Sequence, residues 1–117
     1  MPLSAREIVL SPSASAALHS LEAASMKSER SNARRVRELS AVLRADCLHG
    51  EVVRKRQIPR FFADHYGAQN LFVEDLPSFW RMIYSVAHQG TERYVAVLEI
   101  VDHAADDRWF TGKHRGR

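Results

Sequence analysis

The chain has 117 residues, of which 45% are hydrophobic and 26% are charged, and it carries a formal net charge of +3. This length suits one domain and excludes two ordinary ones, and the composition is that of a soluble globule. No apolar run approaches the ~20 residues that span a bilayer, and the start of the chain lacks the pattern of a signal peptide. We therefore expect a cytoplasmic protein that does not enter a membrane.

Cysteine and histidine usage argues against metal chemistry. The single cysteine, Cys47, excludes an internal disulfide, and the six histidines are scattered along the chain without a metal-ligand spacing. We expect no metal and no other cofactor.

Arginine dominates the basic residues. Lys27, Lys55 and Lys113 are the three lysines among 17 basic residues, so 14 are arginines. The planar guanidinium fits a phosphate through two hydrogen bonds, so this bias suits a nucleic-acid partner. A GC-rich coding sequence produces the same bias, and the charge does not decide between the two.

The N-terminal part of the chain predicts two helices. After a short apolar run at residues 8–10, Ser11 is a suitable N-cap and Pro12 a suitable first helical residue. Apolar residues then recur at helical spacing through Ala24. A second helix carries Val36, Leu39, Leu43 and Cys47 on one face, and Gly50 is the expected C-terminal stop.

The C-terminal half predicts strands. Residues 51–69 show no sustained period, and Pro59 and Gly67 favour turns there. Strand-like runs follow at residues 70–76, 79–86 and 93–101, and their connections are too short for parallel crossovers. The three strands should therefore form an antiparallel meander, followed by a short tail helix and a basic end.

These elements predict an α+β fold in a single domain, residues 1–117. Two N-terminal helices should pack on one face of the small antiparallel sheet, with residues 8–10 as a candidate edge strand. A short C-terminal helix or tail completes the chain, and residues 1–7 and 111–117 are expected to be flexible. Helices on one face alone would leave the other face open for a site.

Strand alternation places Arg81 on that open face. Trp80, Met82, Tyr84 and Val86 form the more apolar set, which we assign to the core, and Arg81 belongs to the other set. An extension of the third strand would bring His103 nearby. Arg81 could hold a phosphate there, or it could form a cross-strand ion pair with Glu74 or Glu99.

Several motifs resemble those of one family. They are Asn70-Leu71, Leu76-Pro77, the strand from Trp80 to Tyr84, Asp102-His103 and Phe110. Together with the element order, they resemble the RelE/ParE superfamily of toxin–antitoxin toxins, most closely its archaeal-type RelE-like branch. The resemblance covers most of the chain and is firmest over residues 58–110.

The resemblance implies the toxin of a type II toxin–antitoxin system, an endoribonuclease that cleaves mRNA on the ribosome without a metal. In such cleavage the ribose 2′-OH is activated and the leaving 5′ oxygen is protonated while cations stabilise the charge on phosphorus. Arg81 would lie beside the scissile phosphate, His103 would act as acid or base, and Glu74 could act as a base. A cognate antitoxin would cover this groove, and the free toxin would be a monomer or weak homodimer.

Basic residues outside the strands are the expected RNA contacts. They lie in the segment before the meander and in the C-terminal tail, at Arg54, Lys55, Arg56, Arg60, Lys113 and Arg115.

The sequence also departs from the family. Lysines expected on the first strand of the meander are replaced by Glu74 and Asp75, and the tail has Trp109 and Phe110 where many members have a tyrosine. Two alternatives therefore stay open. The protein could be a non-catalytic ParE-like inhibitor of DNA gyrase, or a degenerate domain that binds RNA or an antitoxin.

Overall fold

The computed structural model describes residues 2–110. Within them the chain forms four α-helices and one five-stranded sheet. The elements in chain order are β1 (Glu7–Leu10), α1 (Pro12–Ala23), α2 (Lys27–Ala45), β2 (Glu51–Val52), α3 (Arg60–Tyr66), β3 (Phe72–Leu76), β4 (Trp80–Gln89), β5 (Glu92–Val101) and α4 (His103–Trp109). The predicted α+β class is confirmed.

The sheet is larger than predicted and is mixed. Its strand order is β1-β5-β4-β3-β2, and the central β3, β4 and β5 form the expected antiparallel meander. β1 adds to one edge in parallel with β5, whereas β2 adds to the other edge antiparallel to β3. The two-residue β2 was missed because it is too short to show an alternating pattern.

The first helix begins where the sequence predicts. Ser11 Oγ accepts a hydrogen bond from the backbone N–H of Ala14 at 3.0 Å, and Pro12 is the first helical residue. The second helix ends earlier than expected, at Ala45. Gly50 is not its stop, because the C-cap is Asp46. A Cβ at Gly50 would instead lie 2.8 Å from Tyr84 Oη. The requirement at Gly50 is therefore close approach to a buried tyrosine.

The first core lies between the sheet and the two long helices. Met82 and Tyr84 are fully buried in it, and Val86 is nearly so, as the alternation of β4 predicts. The helices contribute apolar residues from their facing sides, including Leu21, Val36, Leu39 and Leu43. Each side chain of this size contributes about 1.5–3 kcal/mol through burial, so the interface is the main source of stability.

The opposite face of the sheet is not open, contrary to the sequence prediction. A second core covers its middle, where Ile83 packs with Phe62 from α3 and with Phe110, which follows α4. α3 was missed because Pro59 interrupts the pattern and the helix has only 7 residues. Phe62 and Tyr66, one turn apart, nevertheless give it an apolar side toward the sheet. Gly67, at φ +67°, ends the helix in the left-handed conformation.

A β-bulge interrupts the pairing of β4 with β5. Ile83 lies opposite Glu99, but the next residue, Tyr84, lies opposite Val97, so Leu98 has no partner of its own. The bulge shifts the alternation of β5, and Ile100 joins Val97 in the first core. Strict alternation would put these two residues on opposite faces, and the bulge brings them to the same one.

The N-terminal residues are attached to the domain. The carbonyl of Leu3 accepts from the N–H of Cys47 at 2.7 Å, and the N–H of Ala5 donates to the carbonyl of Arg44 at 2.9 Å. These hydrogen bonds connect the start of the chain to α2 and to the residues just after it, and the flexibility expected for residues 1–7 stays a prediction. The other expected tail, residues 111–117, lies outside the described residues.

The second core gives a direct test of the fold. We expect Phe62→Ala to lower the free energy of unfolding by about 3–5 kcal/mol, because it removes a fully buried ring. Phe61→Ala is the matched control, since that side chain is 38% exposed, and it should cost about 1 kcal/mol or less. Chemical denaturation measures both, and equal losses would contradict the covered face.

Candidate functional site

Arg81 is paired, not free. It lies directly opposite Asp75 on β3, and its Nε is 3.0 Å from Asp75 Oδ1. The contact is an ion pair without a hydrogen bond, since the Nε proton meets no acceptor in good geometry within residues 2–110. Nη1 donates to the carbonyl of Trp80 at 3.1 Å. A cross-strand ion pair is therefore present, but its carboxylate belongs to Asp75 and not to Glu74 or Glu99.

The two members of this ion pair differ in exposure. The side chain of Arg81 is only 14% exposed, whereas that of Asp75 is 73% exposed. A carboxylate in water gains little from one ion pair, so Asp75 can move away at low cost. Another anion can then take its place beside a guanidinium that is already ordered and largely desolvated.

His103 lies at the same end of the sheet. It is the first residue of α4, and the helix is capped by Asp102, whose Oδ1 accepts from the N–H of Ala105 at 3.0 Å. Its Nε2 is 3.0 Å from Asp107 Oδ2, and its side chain is 58% exposed. Asp107 thus orients the ring, and Nδ1 has no hydrogen-bond partner within the part of the chain that the structure describes.

Phe79 completes this cluster. Its ring centroid is 6.0 Å from that of His103, and the residue is 71% exposed. Ser78 and Phe79 both adopt positive φ, at 60° and 63°. A residue other than glycine in this conformation costs about 1–3 kcal/mol and often lies at a functional site. We name Phe79, Arg81 and His103, with Asp75, the arginine cluster.

Glu74 does not join the arginine cluster. It lies opposite Met82 and therefore on the face of the sheet that α1 and α2 cover. Its Oε2 is 2.6 Å from His49 Nδ1, and its side chain is 10% exposed. The structure thus brings Arg81 and His103 to one end of the sheet and separates Glu74 from both.

The predicted RNA contacts also lie elsewhere. Arg54, Lys55 and Arg56 are exposed and follow Val53, whose N–H donates to the carbonyl of Leu71 just before β3. Arg81 lies opposite Asp75, which is four residues beyond Leu71, or about 13 Å further along the strand. Arg60 is exposed at the start of α3, 3.6 Å from Asp64. Lys113 and Arg115 lie outside the described residues.

Glu99, which the sequence analysis considered only as an ion-pair partner of Arg81, is a buried carboxylate with other partners. Glu99 is 7% exposed, and it accepts hydrogen bonds from the hydroxyls of Ser13 at 2.7 Å and Tyr66 at 2.5 Å. Burial and the bond to Glu99 raise the pKa of Tyr66. This group holds α1 and α3 to β5 beside the bulge. In the sequence, the sign of this buried group was a single glutamate within the apolar run of β5.

Comparisons with known proteins identify no relative: no family model matches the chain, and neither a curated protein nor a solved structure does. The resemblance to RelE/ParE toxins therefore stays a prediction from the sequence. Within residues 2–110 no group of three or more potential metal ligands occurs, and no helix is long and apolar enough to cross a membrane.

The placement of Glu74 can be tested by double-mutant cycles. We expect Glu74→Gln and His49→Ala to be coupled by about 1 kcal/mol in unfolding free energy, because the two side chains are in contact. Glu74→Gln and Arg81→Gln should be additive within about 0.5 kcal/mol, because they share no partner across the sheet. Strong coupling of Glu74 to Arg81 would contradict the assigned faces.

Proposed function

We propose that the protein is a RelE-like toxin that binds mRNA at the arginine cluster and cleaves it on the ribosome. The observation that carries the proposal is the arrangement of Phe79, Arg81 and His103 at one end of the sheet. It combines a cation for phosphate, an oriented imidazole and an exposed ring on which a base can stack. These are the groups that recognition and cleavage of single-stranded RNA require.

The proposed chemistry needs no metal. The ribose 2′-oxygen attacks phosphorus, its proton passes to a base, and the leaving 5′ oxygen takes a proton from an acid. Arg81 stabilises the negative charge on the phosphoryl oxygens, and His103, oriented by Asp107, serves as one of the two proton-transfer groups. Asp75, displaced from Arg81 by the phosphate, is better placed than Glu74 to serve as the other.

The partners follow from the same proposal. The basic segment from Arg54 to Arg56, together with Arg60, contacts flanking phosphates of the mRNA or ribosomal RNA. A cognate antitoxin inhibits the toxin by covering the arginine cluster, and the free protein acts in the cytoplasm as a monomer or weak homodimer. No cofactor takes part.

A second candidate function is binding without chemistry. The Arg81–Asp75 ion pair and the remote position of Glu74 favour it, because both weaken the catalytic set. In that case the same surface would bind RNA, an antitoxin or, as in ParE-like toxins, DNA gyrase. Intact mRNA together with inhibited supercoiling would favour the gyrase alternative.

Competition between Asp75 and phosphate gives the sharpest test of binding. We expect Arg81→Gln to weaken binding of a single-stranded RNA about tenfold or more, since a charge-assisted hydrogen bond contributes about 1.5–3 kcal/mol. Asp75→Asn should strengthen binding several-fold, because it frees Arg81 from its counter-ion. Fluorescence anisotropy at fixed salt measures both.

Arg93→Gln provides the matched control, because Arg93 is a strand arginine that hydrogen-bonds to the carbonyl of Ser4, away from the cluster. If Asp75→Asn and Arg81→Gln only lower stability and leave RNA affinity unchanged, the ion pair is structural and the proposal fails.

Cleavage itself is tested in cells. Expression of the chain without an antitoxin should arrest growth, and primer extension should show cuts within translated mRNA. Arg81→Gln should remove the cuts, whereas Arg93→Gln should leave them at full strength. Equal cutting by the wild type and Arg81→Gln would exclude the proposed role of Arg81.

A further inference from the structure

A pocket lies on the second face of the sheet, at the end opposite the arginine cluster. It has a volume of about 410 Å³ and is bordered by the end of α3, the loop after it and the middle of β4 and β5. Its volume falls within the range of about 300–1,000 Å³ that is usual for small-ligand sites. We call it the Ser85 pocket, after the residue at its floor.

The pocket exists because the second core ends abruptly. Ile83 is covered by Phe62, but the next position of β4 on this face is Ser85, and its cross-strand partner is Ala96. Both side chains are too small to fill the space that an aliphatic pair would occupy. α3 ends at Tyr66, and Gly67 turns the chain away in the left-handed conformation, so the helix does not cover this part of the sheet.

Ser85 supplies a polar group to the pocket. The residue is 8% exposed, and its hydroxyl makes no hydrogen bond to any residue between 2 and 110 while remaining accessible to solvent. The hydroxyl is therefore free to bond to a ligand that enters the pocket. Gln69 and His88 border the same space and add further donors and acceptors.

One wall of the pocket is held firmly. The side-chain amide of Asn70 donates to the carbonyl of Val86 and its oxygen accepts from the N–H of Val86, both at 2.8 Å. This pair of bonds fixes the loop after α3 against β4. The pocket is therefore already formed before a ligand arrives, which reduces the entropy cost of binding.

The neighbouring surface is basic. Ala68 and Gln69 border both the Ser85 pocket and an adjacent depression that Lys55 lines. Arg54 and Arg56 flank Lys55 in the chain and are exposed. A ligand whose inner part fills the pocket would have its outer part on this basic surface. We therefore expect that outer part to carry negative charge.

We propose that the Ser85 pocket holds one nucleobase of a single-stranded RNA whose flanking phosphates contact Lys55 and its neighbours. A planar base suits a pocket with the ring of Tyr66 at its border, and its edge would form a hydrogen bond with the Ser85 hydroxyl. The inference rests on the proposed function and adds to it a second, base-selective contact. Arg81 and Ser85 share one face of β4 and are about 13 Å apart, the length of four residues of strand.

Pocket-filling and hydroxyl-deleting variants test the inference. Ala96→Leu fills the floor of the pocket, and Ser85→Ala removes the unpartnered hydroxyl with little change in volume. We expect Ala96→Leu to weaken binding of a short single-stranded RNA about tenfold and Ser85→Ala about threefold, since base stacking and one hydrogen bond are lost. An abasic RNA of the same length should bind both variants as tightly as it binds the wild type.

Two controls separate this inference from the proposed function. Ala41→Leu makes the same substitution at an exposed position within α2, and it should change the affinity for neither RNA. Arg81→Gln should weaken the binding of both RNAs, because it acts on phosphate. If Ala96→Leu binds the intact RNA as tightly as the wild type does, while Arg81→Gln still binds it weakly, the inference about the pocket is wrong and the proposed function stands. Equal losses on intact and abasic RNA also overturn it, whereas failure of the wild type to bind any RNA overturns both proposals.

Discussion

Burial on both faces of β4 is the constraint on which the architecture depends. Tyr84 and Ile83 are neighbours in the chain and point to opposite sides of the sheet, yet both are fully buried. A strand of this kind needs cover on both sides, and the long α1 and α2 cannot supply it alone. The short α3 and the residues around α4 therefore cover the second side. They cover only its middle, and Arg81 and the Ser85 pocket lie beyond the covered part.

In the arginine cluster, an ordered guanidinium is paired with a counter-ion that is easily displaced. Arg81 has lost most of its contact with water, and such a guanidinium attracts an anion more strongly than an exposed one does. Its partner Asp75 remains largely in water and holds it weakly. The pair neutralises the site in the free protein without blocking it. Further along the strand, no Asp, Glu, Lys or Arg among the described residues lines the Ser85 pocket. Under the two proposals, the two places therefore recognise different parts of the same RNA.

The sequence was sufficient for those features that depend on local pattern. The cap at Ser11 and the core set of β4 were predicted because one helix start and one alternating strand contain all the information needed. The pairing register of β3 with β4 could not be predicted in this way, because the pattern of each strand alone does not say which residues lie opposite each other. Only the register decides that Asp75, and not Glu74, lies opposite Arg81. α3 was missed because a helix of 7 residues gives too little periodicity. The Ser85 pocket depends on where that helix stops, which no local pattern records.

The unpaired residue in β5 has a consequence for the length of this strand. Removal of Leu98 would restore continuous pairing with β4 and would keep Val97 and Ile100 in the first core, because Val97, Glu99 and Ile100 would then alternate strictly between the two faces. Removal of one residue elsewhere in β5 would instead turn the residues on one side of the deletion to the opposite face. The bulge is therefore the one position of β5 at which the loss of a single residue leaves all the others on their own faces.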